Sequence, residues 1–293
     1  MAERATPRVA TGVPGRADVG NGGRTRITGS VREYLLLVGM WTRVSFQYPA
    51  SLAILTLSQF LLTVLDFAAI AIVFAHTRSL AGFSLPEVMF LYGTSATAFA
   101  LADLVVGNVE RVGRHVRLGT FDVMLVRPAS ALAQVAAEDF SPRRLGRFFS
   151  AMPVMVVAVV LLPVDWTPTR VLLLPVMVGA GAAIFAAIWV LCSAFQLAVG
   201  EQVELLNTFI YGGGFLVQYP LSLYGRDALQ LLTWVFPLAF VNWQPALYVL
   251  GRPDPLGLPA AFRFASPVVA AILAMLAAFA WRAGVRHYRS TGS

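Results

Sequence analysis

The chain has 293 residues, 58% of them hydrophobic and 13% charged. A soluble domain of this length carries about a quarter charged residues, so the composition excludes that class and indicates an all-α polytopic membrane protein. The net charge of +7 comes wholly from arginine; without a single lysine the chain cannot be a phosphate-loop ATPase or a Schiff-base enzyme, and any nucleotide energy must come from another polypeptide.

Residues 1–30, rich in Gly, Arg, Thr and Pro, predict a disordered tail. They lack the ~7-residue apolar core of a secretory signal peptide. Over 31–48 apolar residues mix with Arg32, Glu33 and Arg43, and Tyr34, Trp41 and Tyr48 suit a headgroup region, so an interfacial helix is expected. Residues 50–75 form the first span, long enough to cross a ~30 Å core with some tilt. Within it lie Gln59 and Asp66. An acid at that depth is costly unless paired or facing water, so both are expected to serve a pathway or to pair spans. The alternative for Asp66 is a place near the headgroups, or a neutral, hydrogen-bonded state. Ser84-Leu-Pro-Glu87 reads as a capping box opening the second span, 88–106, where Asp103 sits near the exit and can pair with an arginine.

A charged island follows at 108–128, within a loop region of 108–144. Val105, Val109, Val112 and Val116 fall on one helical side and Arg111, Arg114 and Arg117 on another, while Glu110 is placed to pair with Arg114 four residues on. Gly119 stops this helix and Thr120 starts a second short one. The island therefore predicts two linked helical pieces lying beside the membrane.

The third span, 145–164, and the fourth, 171–199, are joined by a turn short enough to make them antiparallel neighbours. Gly179 and Gly181 would allow close helix contact in the fourth. Residues 205–224 form a fifth span interrupted by Gly212-Gly213-Gly214 and Pro220; without a lysine, the glycines mark a break or packing point rather than a phosphate loop. Residues 228–250 contain Pro237, Asn242, Gln244 and Pro245, which suits a re-entrant piece better than a lipid-facing helix. Residues 264–281 form the last span. Six crossings plus this re-entrant segment put 17 arginines inside and five outside; seven crossings give 16 and six. The broken backbone decides for six, with both termini in the cytoplasm. His76, His115 and His287 lie in separate loops or ends, which gives no basis for a metal site. Cys192 sits alone in an apolar run, and the arginines at span ends argue for lipid headgroups rather than nucleic acid.

The run Arg-x-Gly-x-Phe-Asp-x-Met-Leu-x-Arg-Pro at 117–128, set behind an interfacial helix and two spans and before a broken penultimate segment, resembles the ABC-2-type exporter permeases. More narrowly it resembles a bacterial family whose members often travel with a second permease and a separate ATPase. The resemblance implies that the loop docks on a nucleotide-binding subunit through Arg117, Gly119, Phe121, Asp122, Met124, Arg127 and Pro128, with Phe121 and Met124 as apolar anchors in a cleft and Asp122 and Arg127 orienting them. A competing reading of the same strip is a surface helix gripping lipid phosphates. The resemblance also implies two ATPase copies that hold the ATP and Mg, an identical or related second permease, no cofactor in this chain, and export of a drug, antibiotic or lipid-like compound across the bacterial cytoplasmic membrane. The rivals are a proton-coupled secondary transporter using Asp66 and, with less support, a lipid-modifying membrane enzyme.

Overall fold

The computed structural model describes residues 22–47, 49–138, 140, 143–199 and 203–288, and among these every regular element is helical. Most of the expected tail, 1–21, and Arg289 at the other terminus lie outside the described residues. Residues 22–30, expected in that tail, instead open helix α1 (Gly22–Ser45).

Among the described residues, five helices are long and apolar enough to cross a membrane: α2 (Pro49–His76), α3 (Leu85–Val106), α7 (Arg143–Leu161), α8 (Pro168–Val199) and α12 (Ser266–His287). They fall on five of the expected spans. The stretch expected to make another, 205–224, divides instead. Helix α9 (Val203–Leu216) has 14 residues, about 21 Å at the helical rise, and it is followed by a turn and Pro220.

Helix α3 is the centre of the bundle. Glu87 reaches back to accept the Ser84 backbone N–H at 2.7 Å, which starts the helix, and Pro86 occupies its first turn. Residues 88–100 are buried without a break. Helices α7 and α8 each pack along α3 rather than along one another, so the short turn between them does not make them packed neighbours. The reason is steric: the small side chains of α3 let it slide between them. A Cβ on Gly93 would lie 2.6 Å from the Met155 backbone, and one on Gly181 would lie 2.7 Å from the Val241 carbonyl. Gly179, by contrast, faces open space and makes no close contact. Helix α12 runs along α8, and Gly284 brings it close to the Ala194 carbonyl.

The proline-broken stretch folds as α10 (Gly225–Trp234), a 3-10 turn over Leu238–Phe240, and α11 (Trp243–Val249). Pro237 starts the turn, and Pro245 lies in the first turn of α11, where no helical partner is needed for its missing N–H. Residues 238–247 are all buried. The Asn242 side-chain amide donates to the carbonyls of Leu91 and Val217 at 2.9 and 3.0 Å, so broken backbone is held inside protein. At the same end Arg252 grips both carboxylate oxygens of Glu87, at 2.7 and 2.8 Å, with its guanidinium 4.2 Å above the Phe83 ring.

Helix α2 stands apart from this arrangement. It packs mainly on α7, through Thr63 against Ser150 at 3.0 Å, and only 12% of its most apolar stretch is buried.

Candidate functional site

The island begins as a continuation of α3. A 3-10 turn, Gly107–Arg111, leads directly into α4 (Val112–Arg117), so the first of the two expected pieces is the end of a long helical rod rather than a separate segment. The tighter turn changes the helical phase. Val109, Val112 and Val116 face inward as the spacing predicts, but Val105 is half exposed. The same change removes the predicted Glu110–Arg114 geometry. Glu110 instead accepts the Tyr211 hydroxyl of α9 at 2.9 Å, and Arg114 points outward. The rod is fastened to α8 by Ser193, whose hydroxyl donates to the Val109 carbonyl at 2.7 Å, and by the Gly113 N–H donating to Gln196 at 3.1 Å.

Gly119, at φ 66°, turns the chain into α5 (Thr120–Val126). Phe121 and Met124, expected as anchors in a partner's cleft, are buried within this chain. Phe121 packs edge-on against Tyr288 and Trp281 at the end of α12, with ring centroids 5.1 and 6.5 Å apart. Their spacing of three puts both on one face of a helix too short to bury two faces. The opposite face exposes Val126 (84%) and Val123 (52%), next to Leu118 (60%). Arg117, Arg127 and Pro128 are also exposed. Asp122 is half-buried near Tyr288, whose hydroxyl is pushed above its usual range by burial first and then by that carboxylate. Gln134 of α6 (Ala131–Ala137) donates to the carbonyls of Met124 and Ala129, both at 2.9 Å, and closes the loop. The Tyr34 hydroxyl of α1 donates to the Val105 carbonyl at 2.8 Å.

Behind the rod lies a cluster of charges. Arg144, only 8% exposed, donates to the Asp103 carbonyl at 2.7 Å and to Asn108 Oδ1 at 2.6 Å, and it stands 3.6 Å from the Asp103 carboxylate. Arg147 pairs with the same carboxylate at 3.1 Å. Asn108 in turn donates to the Glu138 carbonyl. Sequence reasoning placed Asp103 beside some arginine, but its partners are 41 and 44 residues away, with no local signal to identify them.

Above the cluster, a cavity of about 250 Å³ opens between α2, α3, α7 and α9. Gln59 and Asp66, singled out from sequence as pathway or span-pairing residues, both line it, with Tyr92 beside Asp66. Tyr92, Phe99 and Tyr211 also form its wall; sequence reasoning missed all three, since no motif marks them. A second cavity of about 280 Å³, lined by Asp103, Glu110, Arg111 and Arg144, shares Gln59, Leu62, Arg147 and Tyr211 with the first. Those four residues form a neck between a charged vestibule and a more apolar chamber.

A bundle of five apolar helices long enough to cross a bilayer, built around a chamber with a tied-down charged loop at one end, defines a multi-pass membrane protein of the permease class. Residues 60–292 match the family model described as ABC-2 family transporter protein, and the chain belongs to that family. The family is a membrane transport component that normally works with an ATPase component. No curated protein and no solved structure matches the chain.

Proposed function

We propose that this chain is the membrane-spanning subunit of an ATP-driven exporter in the bacterial cytoplasmic membrane, moving a hydrophobic or amphipathic compound. Two such chains, identical or related, enclose the path. Two copies of a separate ATPase hold the ATP and Mg. Both termini and the loop 108–144 lie in the cytoplasm, in keeping with the distribution of the arginines. Helix α9 together with the turn that follows it makes the sixth crossing, and the segment buried over 238–247 makes the re-entrant piece.

The observation that carries this reading is the loop's two-sided construction. Phe121 clamps α5 to α12, Ser193 and Gln196 hold the rod to α8, and an apolar strip of Leu118, Val123 and Val126 is left outside with Arg117, Asp122, Arg127 and Pro128 around it. Such a patch, apolar at the centre and polar at the rim, has the composition of a docking surface. Because α3 and α4 are continuous, a push on this patch moves the chamber wall as a rigid body.

The expected result is that an ATPase subunit co-purifies with the wild-type chain from native membranes. Val126→Asp should reduce the recovered ATPase by about tenfold or more, as expected of a charge placed at the centre of an interface. Arg226→Ala, at an exposed position beyond α9, should leave it unchanged. Recovery of no ATPase with wild type, or full recovery with Val126→Asp, would overturn the docking reading. Export that persists without the ATPase and collapses with the proton gradient would replace it with a proton-coupled transporter.

A further inference from the structure

The chamber has an uneven distribution of charge that specifies what can occupy it. Arg147, on one wall, is matched by Asp103 at 3.1 Å, and its guanidinium lies 5.6 Å from the centroid of the Phe99 ring. Asp66, on another, has the Tyr92 hydroxyl beside it, and among the described residues no arginine or histidine stands within 4 Å of it. The remaining wall mixes aromatic and small side chains with neutral polar ones: Phe99 and Tyr211 with centroids 5.9 Å apart, Phe215, Ala96 and Gly214, beside Gln59, Thr63 and Gln218. The glycine is required there, because a Cβ at Gly214 would lie 2.7 Å from the Phe99 ring. The result is a pocket with one unmatched carboxylate facing π-surfaces.

We propose that this chamber is a binding site for a lipophilic monovalent cation of the quaternary ammonium kind. Asp66 acts as its counter-ion, and Phe99, Tyr211 and Tyr92 present ring faces and edges around the onium group. An acid in an apolar span is costly unless it is paired or faces water, and among the described residues no cation pairs with Asp66, which is left facing the chamber. A quaternary ammonium suits the aromatic half of the chamber because ring surfaces hold such a group without hydrogen bonds to it. A volume of about 250 Å³ accommodates a compact head with one aromatic arm. The role of such a cation as cargo rests on the export reading above; its binding does not.

The experiment is saturation-transfer NMR on the purified full-length chain in lipid nanodiscs, using benzyltrimethylammonium and benzylsulfonate, two ions of similar outline and opposite charge. The cation should give a saturable signal with wild type and with Asp66→Glu. Asp66→Asn should weaken its binding by about tenfold or more, the scale of one lost charge contact. Benzylsulfonate should give no saturable signal. Equal binding of the two ions to wild type overturns the proposal without any variant having to fold, as does undiminished cation binding by Asp66→Asn. No ATPase takes part, so a chain that binds the cation but recovers no ATPase sinks the export reading and leaves the site, whereas ATPase recovery without cation binding does the reverse.

Discussion

Replacing Arg144 with methionine is expected to lower the chain's apparent melting temperature by roughly 6–12 °C. Methionine keeps much of the side-chain length but removes the donors to Asn108 and to the Asp103 carbonyl, and it takes a charge from beside a carboxylate that is itself buried. Breaking a buried pair by deleting one partner costs about 3–5 kcal/mol, and this site belongs at the lower end because Arg147 still pairs with Asp103. Adding Asp103→Asn to Arg144→Met should lower stability further, because Arg147 then loses its carboxylate partner as well. Arg114→Met, at an exposed position on α4, should change stability by no more than about 0.5 kcal/mol. The chain supplies its own reporter: Cys192, its one cysteine, is buried in α8, so a thiol-reactive dye records unfolding. An unaltered melting temperature for Arg144→Met would mean that the cluster does not hold α7 to the end of α3.

What could be read from the sequence follows from the range of the forces involved. Five spans were legible because apolar length alone makes a helix long enough to cross a bilayer. The Ser84–Glu87 cap was legible for the same reason, since its partners are three residues apart. The segment from 205 to 250 was not, because an apolar run broken by glycine and proline does not reveal whether its pieces cross or turn back. Only long-range bonds such as Asn242 to Leu91 fix that. The loop was half legible. Gly119 marked the bend, but α5 is apolar on two sides, and nothing local says that Phe121 and Met124 turn inward, Phe121 onto α12, while Val123 and Val126 face out. For the chamber, Gln59 and Asp66 were conspicuous as polar residues within a span, whereas Tyr92, Phe99 and Tyr211 look like ordinary apolar wall until α3 and α9 are brought together.

Gly93→Ala is expected to destabilise the fold by about 1–3 kcal/mol, and Gly93→Leu to prevent recovery of a monodisperse protein. Nothing in the sequence distinguishes this glycine from its neighbours, yet in the structure it is the point where α3 and α7 cross. An added Cβ would fall 2.6 Å from both the Met155 Cα and its backbone nitrogen and 2.9 Å from its Cβ. Those atoms belong to the backbone and its first side-chain carbon, so no rotamer change relieves the overlap, and the helices must part by roughly 1 Å to restore van der Waals contact. The consequence reaches beyond packing. Arg144 and Arg147 ride on α7 and hold Asp103 of α3, and Asp103 sits one side of the neck below the chamber. Separation at Gly93 should therefore loosen the cluster as well, making Gly93→Ala and Arg144→Met less than additive in a double-mutant cycle, with a coupling of about 0.5 kcal/mol or more. Gly179→Ala is the matched control: its Cβ meets nothing within 4 Å, and the greater helix propensity of alanine should leave stability unchanged or slightly raised. The measurement is the Cys192 melting curve for the two single variants and the double. If Gly93→Ala melts with Gly179→Ala rather than below it, the α3–α7 crossing is not as close as described. If instead it melts lower but adds fully to Arg144→Met, the crossing stands and its mechanical link to the charge cluster does not.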